Sequence, residues 1–420
     1  MKSTDRSKAP KAHPITRINF IYPEVETLKN GVNLYCIRQT NDRTVRIDFT
    51  FNAGSLNDAK VLAEIAGELL LSGDATQTSD VIEESIDQLG GYTEVKVNTE
   101  KATLTVFGLV EHILSITKIV VDAIQNVNFD SKELKQTIQE RRKELKIRLQ
   151  KVKTLAQRTF VSHILKETPY GELIHLDDFD KVKKEDLIDF HQRNYLNGLQ
   201  QINIVGALED KEIKDIKNLA LRFNKKDTVI PNYSYTHTPT ILHLEKDKAL
   251  QTAIRIGRML FNKKHTDYKK FIVLNTLLGG YFGSRLMTSI REEKGYTYGI
   301  GSGVVQLSET GYFYIASEVA KEFKDATLNA IKAEIEKLQT TLVDNEELEL
   351  VKNYLIGQIL EQSDGAQAMM DRFNSVNYFG LTLNYYDDLI RTINQINPEE
   401  IKALAQRYLK WEDMTIVTVG

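Results

Sequence analysis

The sequence predicts an α+β fold made of two homologous halves, and an internal repeat is the main reason. The segment KKEDLIDFHQRNYLNGLQQINIVG, which ends at Gly206, is similar to NPEEIKALAQRYLKWEDMTIVTVG, which ends at Gly420. The two end points are 420 − 206 = 214 residues apart, and the same offset relates Ser131 of SKEL to Asn345 of NEEL, since 345 − 131 = 214. Two distant segments that share one offset indicate duplication of a whole domain.

The order of the predicted elements is the second observation. VNLYCIRQ and VRIDFTFNAG alternate strand-forming and polar residues, and the Asn-Gly and Asn-Asp pairs beside them favour a hairpin. Hydrophobic periodicity then predicts, in order, a helix at 56–71, a short helix at 79–89, the strands YTEVKVN and KATLTVFGL, and long helices at 111–126 and 131–151. Strands and helices grouped in this way predict an α+β or layered α/β sheet fold in each half.

The boundaries follow from local composition. Residues 1–21 are polar and basic, which predicts a flexible N-terminal arm. The segment NKKDTVIPNYSYTHTPT is rich in Pro, Thr and Tyr and has no helical period, so the halves are expected to join near Pro231. The predicted domains are therefore 22–230 and 231–420.

Composition excludes several classes of protein. The 420 residues are 41% hydrophobic and 27% charged with a net charge of −3, so the clearly basic surface of a nucleic-acid-binding protein is not expected. Cys36 is the single cysteine, which rules out a disulfide within the chain. No window approaches the ~18 consecutive apolar residues of a membrane span, and no signal-peptide core is present. A cytoplasmic protein is expected, with the periplasm as the alternative if a partner exports it.

Several local motifs are similar to those of one known family. They are FNAGSLND, LAEIAGELLLSG and the Gly90-Gly91-Tyr92 turn in the first half, and LLGGYFGSRLMTSIREEKGYTYGIGS in the second. Together with the size and the repeat, they resemble the pitrilysin/insulinase family of zinc peptidases, particularly shorter members such as mitochondrial processing peptidase. The resemblance covers nearly everything after the arm. It implies that each domain is a mixed, largely antiparallel sheet packed with helices.

The zinc motif of that family is degenerate in this chain. Active members carry His-x-x-Glu-His on the first helix, in which two histidines bind zinc and the glutamate activates water. Glu64 and Glu68 stand at the histidine positions and Gly67 stands at the position of the base. The third ligand position falls at Ile147, or at Glu144 if the count shifts. We therefore expect no metal on this chain.

Carboxylates one helical turn apart leave one alternative, which is a hard cation such as Mg²⁺ bound by Glu64, Glu68 and Glu144. The preferred interpretation is a solvated helix face on which like charges repel weakly. The eight histidines include no pair spaced i, i+3 or i, i+4, so they offer no substitute site.

The motif of the second half is intact. Ser284 is a plausible N-cap for a helix at 285–294, and Gly295 suits its end. Arg291 and Tyr298 follow at the spacing at which the resembling family places an Arg and a Tyr that reach substrate at the zinc site of the opposite half. A phenol can donate to an oxyanion, and a guanidinium can hold backbone carbonyls. The alternative is a purely structural role, in which Arg291 caps the C-terminus of the helix and Tyr298 packs against the protein.

The resemblance implies a division of labour between two chains. This chain would be the zinc-less subunit of a heterodimeric zinc endopeptidase, inactive alone, and would supply Arg291 and Tyr298. A homologous catalytic subunit with His-x-x-Glu-His would supply zinc, and a peptide substrate would add as a strand to a sheet edge. The alternatives are a catalytically inactive scaffold and a peptide-holding homodimer.

Overall fold

The structure is a computed structural model that describes residues 15–40, 42–56, 60–74, 76–226, 233 and 235–420. Its first half contains, in chain order, β1 (Glu24–Thr27), β2 (Asn33–Ile37), β3 (Thr44–Phe51), α1 (Lys60–Glu68), α2 (Ser79–Gln88), β4 (Tyr92–Val97), β5 (Ala102–Leu109), α3 (Ile113–Asn126), α4 (Ser131–Arg148), α5 (Val152–Ile164), α6 (Lys184–His191), β6 (Leu199–Val205) and α7 (Asp210–Ala220).

The second half contains β7 (Ile241–Leu244), β8 (Gln251–Leu260), α8 (Tyr268–Asn275), β9 (Thr297–Gln306), β10 (Gly311–Ala320), α9 (Lys324–Thr340), α10 (Asn345–Glu361), α11 (Gly365–Asn377), α12 (Asn384–Gln395), α13 (Pro398–Tyr408) and β11 (Thr415–Val419). Short 3₁₀ turns lie at Pro169–Gly171, Leu176–Lys181, Lys321–Phe323 and Trp411–Asp413, and π-helical segments at Gln192–Leu196, Thr276–Gly280 and Met287–Glu293.

The two sheets confirm the predicted duplication. The strand order is β1-β2-β6-β3-β5-β4 in the first sheet and β7-β11-β8-β10-β9 in the second, so the second repeats the first without β1. Each sheet has one parallel neighbouring pair, β2 with β6 and β7 with β11, and its other described pairs are antiparallel. The predicted α+β class with mixed, largely antiparallel sheets is confirmed.

The predicted hairpin of VNLYCIRQ and VRIDFTFNAG is wrong. These segments form β2 and β3, but β6 lies between them, parallel to β2 and antiparallel to β3. The physical reason is that β6, the closing strand of the domain, pairs with both and fills the centre of the sheet. Its residues from Ile202 to Val205 are buried accordingly.

The repeat extends to the helix caps. The carboxylate of Asp130 accepts hydrogen bonds from the backbone N–H groups of Lys132 and Glu133 at 2.8 and 3.1 Å, at the start of α4. Asp344, 344 − 130 = 214 residues later, caps α10 in the same manner. An N-cap of this kind satisfies donors that the first helical turn leaves unpaired, which explains why the helix start is retained in both halves.

One helix from each half packs against the sheet of the other half. Phe160 of α5, from the first half, packs with Val417 and Val419 of the second sheet. Met370 of α11, from the second half, packs with Tyr35 and other residues of the first sheet. The helices α5 and α11 occupy equivalent places in the repeat, so the exchange is reciprocal and ties the two domains together.

The described part of the predicted N-terminal arm is packed rather than free. Ile15, Ile18 and Phe20 contact the core of the second half, and the rings of Phe20 and Tyr386 are 5.2 Å apart. Residues 1–14 and the predicted join at Pro231 lie outside the described residues. Within the described ranges, no helix is both long and apolar enough to cross a membrane.

Candidate functional site: an exposed Arg/Tyr pair and a closed zinc position

The degenerate zinc motif lies on α1, between the edge strand β4 and α4. Glu64 and Glu68 are on the exposed side of α1, whereas Gly67 is buried. This arrangement follows from the sequence, because the apolar residues between the glutamates pack into the core of the first half. The two carboxylates therefore share one helix face, as the spacing predicts.

An arginine lies between the carboxylates of the two helices. Arg141 of α4 donates from Nε to Glu68 and from Nη1 to Glu144, the second at 2.9 Å. The charges of Glu68 and Glu144 are thus compensated by a guanidinium. The expectation of glutamates that merely repel each other in solvent misses this ion pair, because periodicity within α1 cannot show which residues of α4 lie opposite.

Glu64 lines a cleft of about 170 Å³ together with Arg141, Glu144, Arg148 and Arg158. Although Glu64 reaches solvent, the walls of this cleft partly desolvate its carboxyl and raise its pKa, and the positive charges of Arg141 and Arg148 act in the opposite direction. Glu144 pairs with Arg141 at 2.9 Å and with Arg148 at 3.7 Å. The carboxylate at the alternative third ligand position is therefore already engaged by cations of the chain.

The sequence places the third ligand position at Ile147, or at Glu144 if the count shifts. Glu144 lines the cleft beside Glu64, whereas Ile147 is not among its lining residues and is 49% exposed. The structure thus brings Glu144, and not Ile147, to the degenerate motif. A helix presents residues 141, 144, 145 and 148 on adjacent positions of one face, which explains the placement.

The position of the general base is closed by packing. A Cβ built on Gly67 would lie 2.3 Å from Cγ2 of Val97 in β4 and 3.3 Å from the hydroxyl of Tyr195. Real Cβ atoms do not approach carbon so closely, so a glutamate cannot occupy this position without displacing β4 or repacking Val97.

In contrast to the buried Gly67, the tyrosine of the Arg/Tyr motif is almost fully exposed to solvent. Tyr298 is 94% exposed. Arg291 Nε donates to the carbonyl oxygen of Tyr298 at 3.1 Å, and its guanidinium carbon lies 4.7 Å from the ring centre of Phe282. Arg291 is therefore held between a backbone carbonyl and an aromatic face. The structure brings Arg291 and Tyr298 together as the spacing predicts, and it does not support a packed Tyr298.

A β-bulge produces the exposure of Tyr298. Ile300 pairs with Ser317 and Thr297 pairs with Val319, so Tyr298 and its neighbouring glycine stand opposite a single residue of β10. The Thr297 hydroxyl donates to the Glu318 carbonyl at 2.7 Å and fixes this irregular backbone. Bulges commonly re-aim a side chain at a functional edge.

The helix that carries Arg291 differs from the prediction in two respects. Its last seven residues, Met287–Glu293, are π-helical. The hydroxyl of Ser284 is buried without a hydrogen-bond partner, so Ser284 does not act as a side-chain N-cap. The predicted end is confirmed by Gly295, whose φ of +65° suits glycine.

Two family models match most of the chain. Residues 35–174 match the family described as Insulinase (Peptidase family M16), and residues 181–355 match the Peptidase M16 inactive domain. The chain belongs to the insulinase family of M16 peptidases.

Several relatives can be aligned with this M16 chain over most of its length. YmxG of Bacillus subtilis, an uncharacterized zinc protease, is 23% identical over 411 residues, which cover 94% of this chain and 97% of that protein. A Helicobacter pylori protein named non-peptidase homolog YmxG is 23% identical over 383 residues, 87% of this chain and 86% of that protein. The crystal structure of a peptidase M16 inactive domain from Pseudomonas fluorescens has a TM-score of 0.87 at 20% identity, covering 95% of this chain and 98% of that chain.

The residues of this M16 chain do not fit zinc. Catalytic zinc takes three protein ligands, usually histidines and one carboxylate, and leaves a position for water. Here the carboxylates Glu68 and Glu144 share Arg141, and Val97 fills the place of the base. Among the described residues, no group of three or more His, Cys, Asp and Glu side chains could hold a metal ion. The hard-cation alternative therefore gains no support.

Phe282 is the residue of this site that the sequence analysis did not identify. It is 64% exposed and covers one face of Arg291. The available signal was an aromatic residue inside the Gly-rich run before the helix, nine positions ahead of Arg291. Without the turn geometry, that spacing does not predict a contact.

Proposed function

We propose that this M16 chain is the zinc-less subunit of a two-subunit zinc endopeptidase, in which it contributes Arg291 and Tyr298 to the substrate site of a homologous catalytic subunit. The observation that carries the proposal is the exposure of Tyr298 beside a fixed arginine. A tyrosine that is 94% exposed has no packing role within its own chain. Its hydroxyl is free to donate to a group outside the chain.

The proposed roles follow from the chemistry of the two side chains. Tyr298 donates a hydrogen bond from its hydroxyl to the scissile carbonyl oxygen as that oxygen gains negative charge. Nη1 and Nη2 of Arg291 bind carbonyl oxygens of the substrate backbone. Within the chain, Nη1 lies 3.8 Å from a carboxylate oxygen of Glu292. Water activation is assigned to the partner, because Gly67 has no side chain to serve as a base and zinc does not fit at Glu64 and Glu68.

The edge strand supports a peptide as the substrate. Tyr298 belongs to β9, which is the last of the described strands of its sheet, and no other described strand pairs with its outer row of backbone groups. An extended peptide can pair with such an edge through main-chain hydrogen bonds. Recognition of this kind depends on backbone groups, so it suits unstructured segments of varied sequence.

The proposal is tested by removing single groups from this chain in the assembled pair. Tyr298→Phe deletes only the hydroxyl, and loss of one oxyanion donor typically lowers turnover by roughly 10²–10³. The matched control is Tyr22→Phe, which removes the hydroxyl of an exposed tyrosine that donates to Asn384. The control should keep full turnover, and both variants should assemble normally with the partner.

Normal turnover in Tyr298→Phe would reject the assigned role. A chain that forms no pair with a catalytic homologue, or pairs without any effect on hydrolysis, would instead favour the scaffold or the peptide-holding homodimer. The oligomeric state measured by light scattering separates these two alternatives.

A further inference from the structure

A groove on the second sheet lies beside Tyr298 and contains a buried arginine. The groove has a volume of about 490 Å³, and Arg255, Lys153, Ala316, Gly301 and Tyr298 are among its lining residues. Arg255 is 4% exposed. A guanidinium so deeply buried is costly unless its charge is balanced.

The charge of Arg255 has no carboxylate partner in the described part of the chain. Its Nε donates to the side-chain oxygen of Gln157 in α5 at 3.0 Å, and its Nη1 donates to the carbonyl oxygen of Ile254 at 2.8 Å. Both partners are neutral. The one carboxylate at the groove, Glu318, lies 3.7 Å from Lys153 and pairs with that residue.

Small residues leave open space in front of the guanidinium. Arg255 of β8 stands directly opposite Ala316 of β10, and Ala316 stands opposite Gly301 of the edge strand β9. Because directly paired residues point to the same face of a sheet, the three form one row from the centre to the edge. The two outer positions carry one methyl group and no side chain, and a Cβ built on Gly301 would lie 3.3 Å from the carbonyl oxygen of Gly279. The row therefore forms part of the groove floor and leads to Arg255.

We propose that this groove is a subsite for a carboxylate of a bound peptide, which lies over Ala316 and pairs with Arg255. The proposal rests on the proposed function, because it places the subsite next to the substrate-contacting Tyr298. Arg255 supplies the fixed donor and the unbalanced positive charge, whereas the charges of Lys153 and Glu318 at the groove offset each other. Chemically, the site takes the acidic side chain of a Glu or Asp residue, or the terminal carboxylate of a peptide.

Burial makes the pairing selective. A hydrogen bond to a charged group contributes more than a neutral one, and its contribution grows where water is excluded. Burial also lowers the pKa of Arg255, and the negative charge of Glu318, which makes no direct ion pair with it, opposes this shift only in part. A ligand carboxylate would neutralise the charge of Arg255, whereas an amide of the same shape would not.

The experiment measures binding to this chain alone by fluorescence anisotropy, so it requires neither zinc nor a partner. Three labelled, unstructured peptides are compared. The first has a central Glu and a blocked C-terminus, the second has Gln in place of that Glu, and the third has Gln and a free C-terminal carboxylate. The structure predicts that either the Glu peptide or the free-acid peptide binds roughly tenfold more tightly than the neutral one. Which of the two does so identifies the source of the carboxylate.

Two variants test whether Arg255 is responsible without removing it from the core. Ala316→Asp places a carboxylate opposite Arg255 and should abolish the preference, whereas Ala316→Asn has nearly the same shape and should retain it. Because the ratio of affinities is compared, a general loss of binding from a narrower groove does not affect the result. Melting temperatures establish that both variants are folded.

Equal affinities for all three peptides, no measurable binding of any of them, or a preference that survives Ala316→Asp would overturn the proposal. The outcome is distinguishable from failure of the proposed function. If the chain prefers the carboxylate peptide but no hydrolysis appears on mixing with a catalytic homologue, the subsite proposal stands and the two-subunit peptidase is rejected. If hydrolysis appears on mixing but the peptides bind with equal affinity, the subsite proposal is rejected and the two-subunit peptidase stands.

Discussion

Cγ2 of Val97 occupies the space that a side chain at residue 67 would need, since a Cβ built on Gly67 would lie 2.3 Å away from it. The contact joins α1, which carries the degenerate zinc motif, to the edge strand β4. The position of the catalytic base is therefore occupied by a side chain of β4 in this chain. Replacing the three motif residues alone would not rebuild an active site.

The first prediction concerns this contact. Gly67→Ala should lower the free energy of unfolding by about 1–3 kcal/mol, because an added methyl group in a packed core forces neighbouring groups to shift. Val97→Ala creates the missing space, so the double variant Gly67→Ala/Val97→Ala should be less destabilised than the sum of the single variants. Urea denaturation of the four proteins measures this coupling. Strict additivity would show that the two positions do not contact each other.

The second prediction concerns metal binding and the alignment of the third ligand. Zinc should not change the melting temperature of the native chain, because Arg141 is paired with Glu68 and Glu144. The variant Glu64→His/Glu68→His/Arg141→Ala removes that cation and supplies two histidines beside Glu144, so zinc should raise its melting temperature.

Adding Glu144→Ala to this variant should abolish the zinc-dependent rise, whereas adding Ile147→Ala should not. A zinc-dependent rise that persists without Glu144 would show that Glu144 does not ligate the metal.

The third prediction concerns the junction between the two halves. Arg46 donates from Nη2 to Asp48 at 2.8 Å and from Nη1 to Asp371 of α11 at 3.2 Å. Asp48 is buried, so Arg46→Met would leave a carboxylate without its counter-ion and should cost about 3–5 kcal/mol. The control Arg43→Met removes an exposed pair with Glu111 and should cost less than about 1 kcal/mol. Equal effects in chemical denaturation would contradict a role for buried charge.

The fourth prediction concerns pH. Burial lowers the pKa of His191 to about 4, from 6.5 in an exposed residue. Between these values the unfolded chain binds a proton that the folded chain excludes, so the contribution of His191 is fully present above pH 6.5 and declines as the pH falls toward 4. The loss is on the order of 3 kcal/mol.

His191→Phe should flatten this part of the stability curve, because phenylalanine does not titrate. Denaturation midpoints of both proteins across that pH range test the difference. An unchanged slope in the variant would show that His191 is not the residue responsible.

Some features of the fold and site could be predicted because they depend on local spacing. The repeated caps Asp130 and Asp344 lie at equal offsets in the sequence, and a duplicated domain keeps such offsets. Arg291 and Tyr298 are separated by one helix end and one glycine, so their proximity follows from the turn at Gly295. Glu64 and Glu68 share a helix face because they are one turn apart.

Other features depend on contacts between distant segments, which no local pattern contains. The insertion of β6 between β2 and β3 is decided by pairing across more than a hundred residues, so the Asn-Asp pair between these two segments gave the wrong hairpin. The Asn-Gly pair lies instead between β1 and β2, which are antiparallel neighbours. The pairing of Arg141 with Glu68 and the contact of Val97 with Gly67 depend on how α4 and β4 pack against α1. The burial of Arg255 likewise requires α5, which comes from the other half.

The measurement that tests the central claim most directly is hydrolysis of a fluorogenic peptide library by three samples. These are this chain alone, its His-x-x-Glu-His homologue from the same organism alone, and the two mixed. The account predicts that activity appears or rises strongly only on mixing, that a zinc chelator removes it, and that this chain alone is inactive. Unchanged activity on mixing, with no complex detected between the chains, would contradict it.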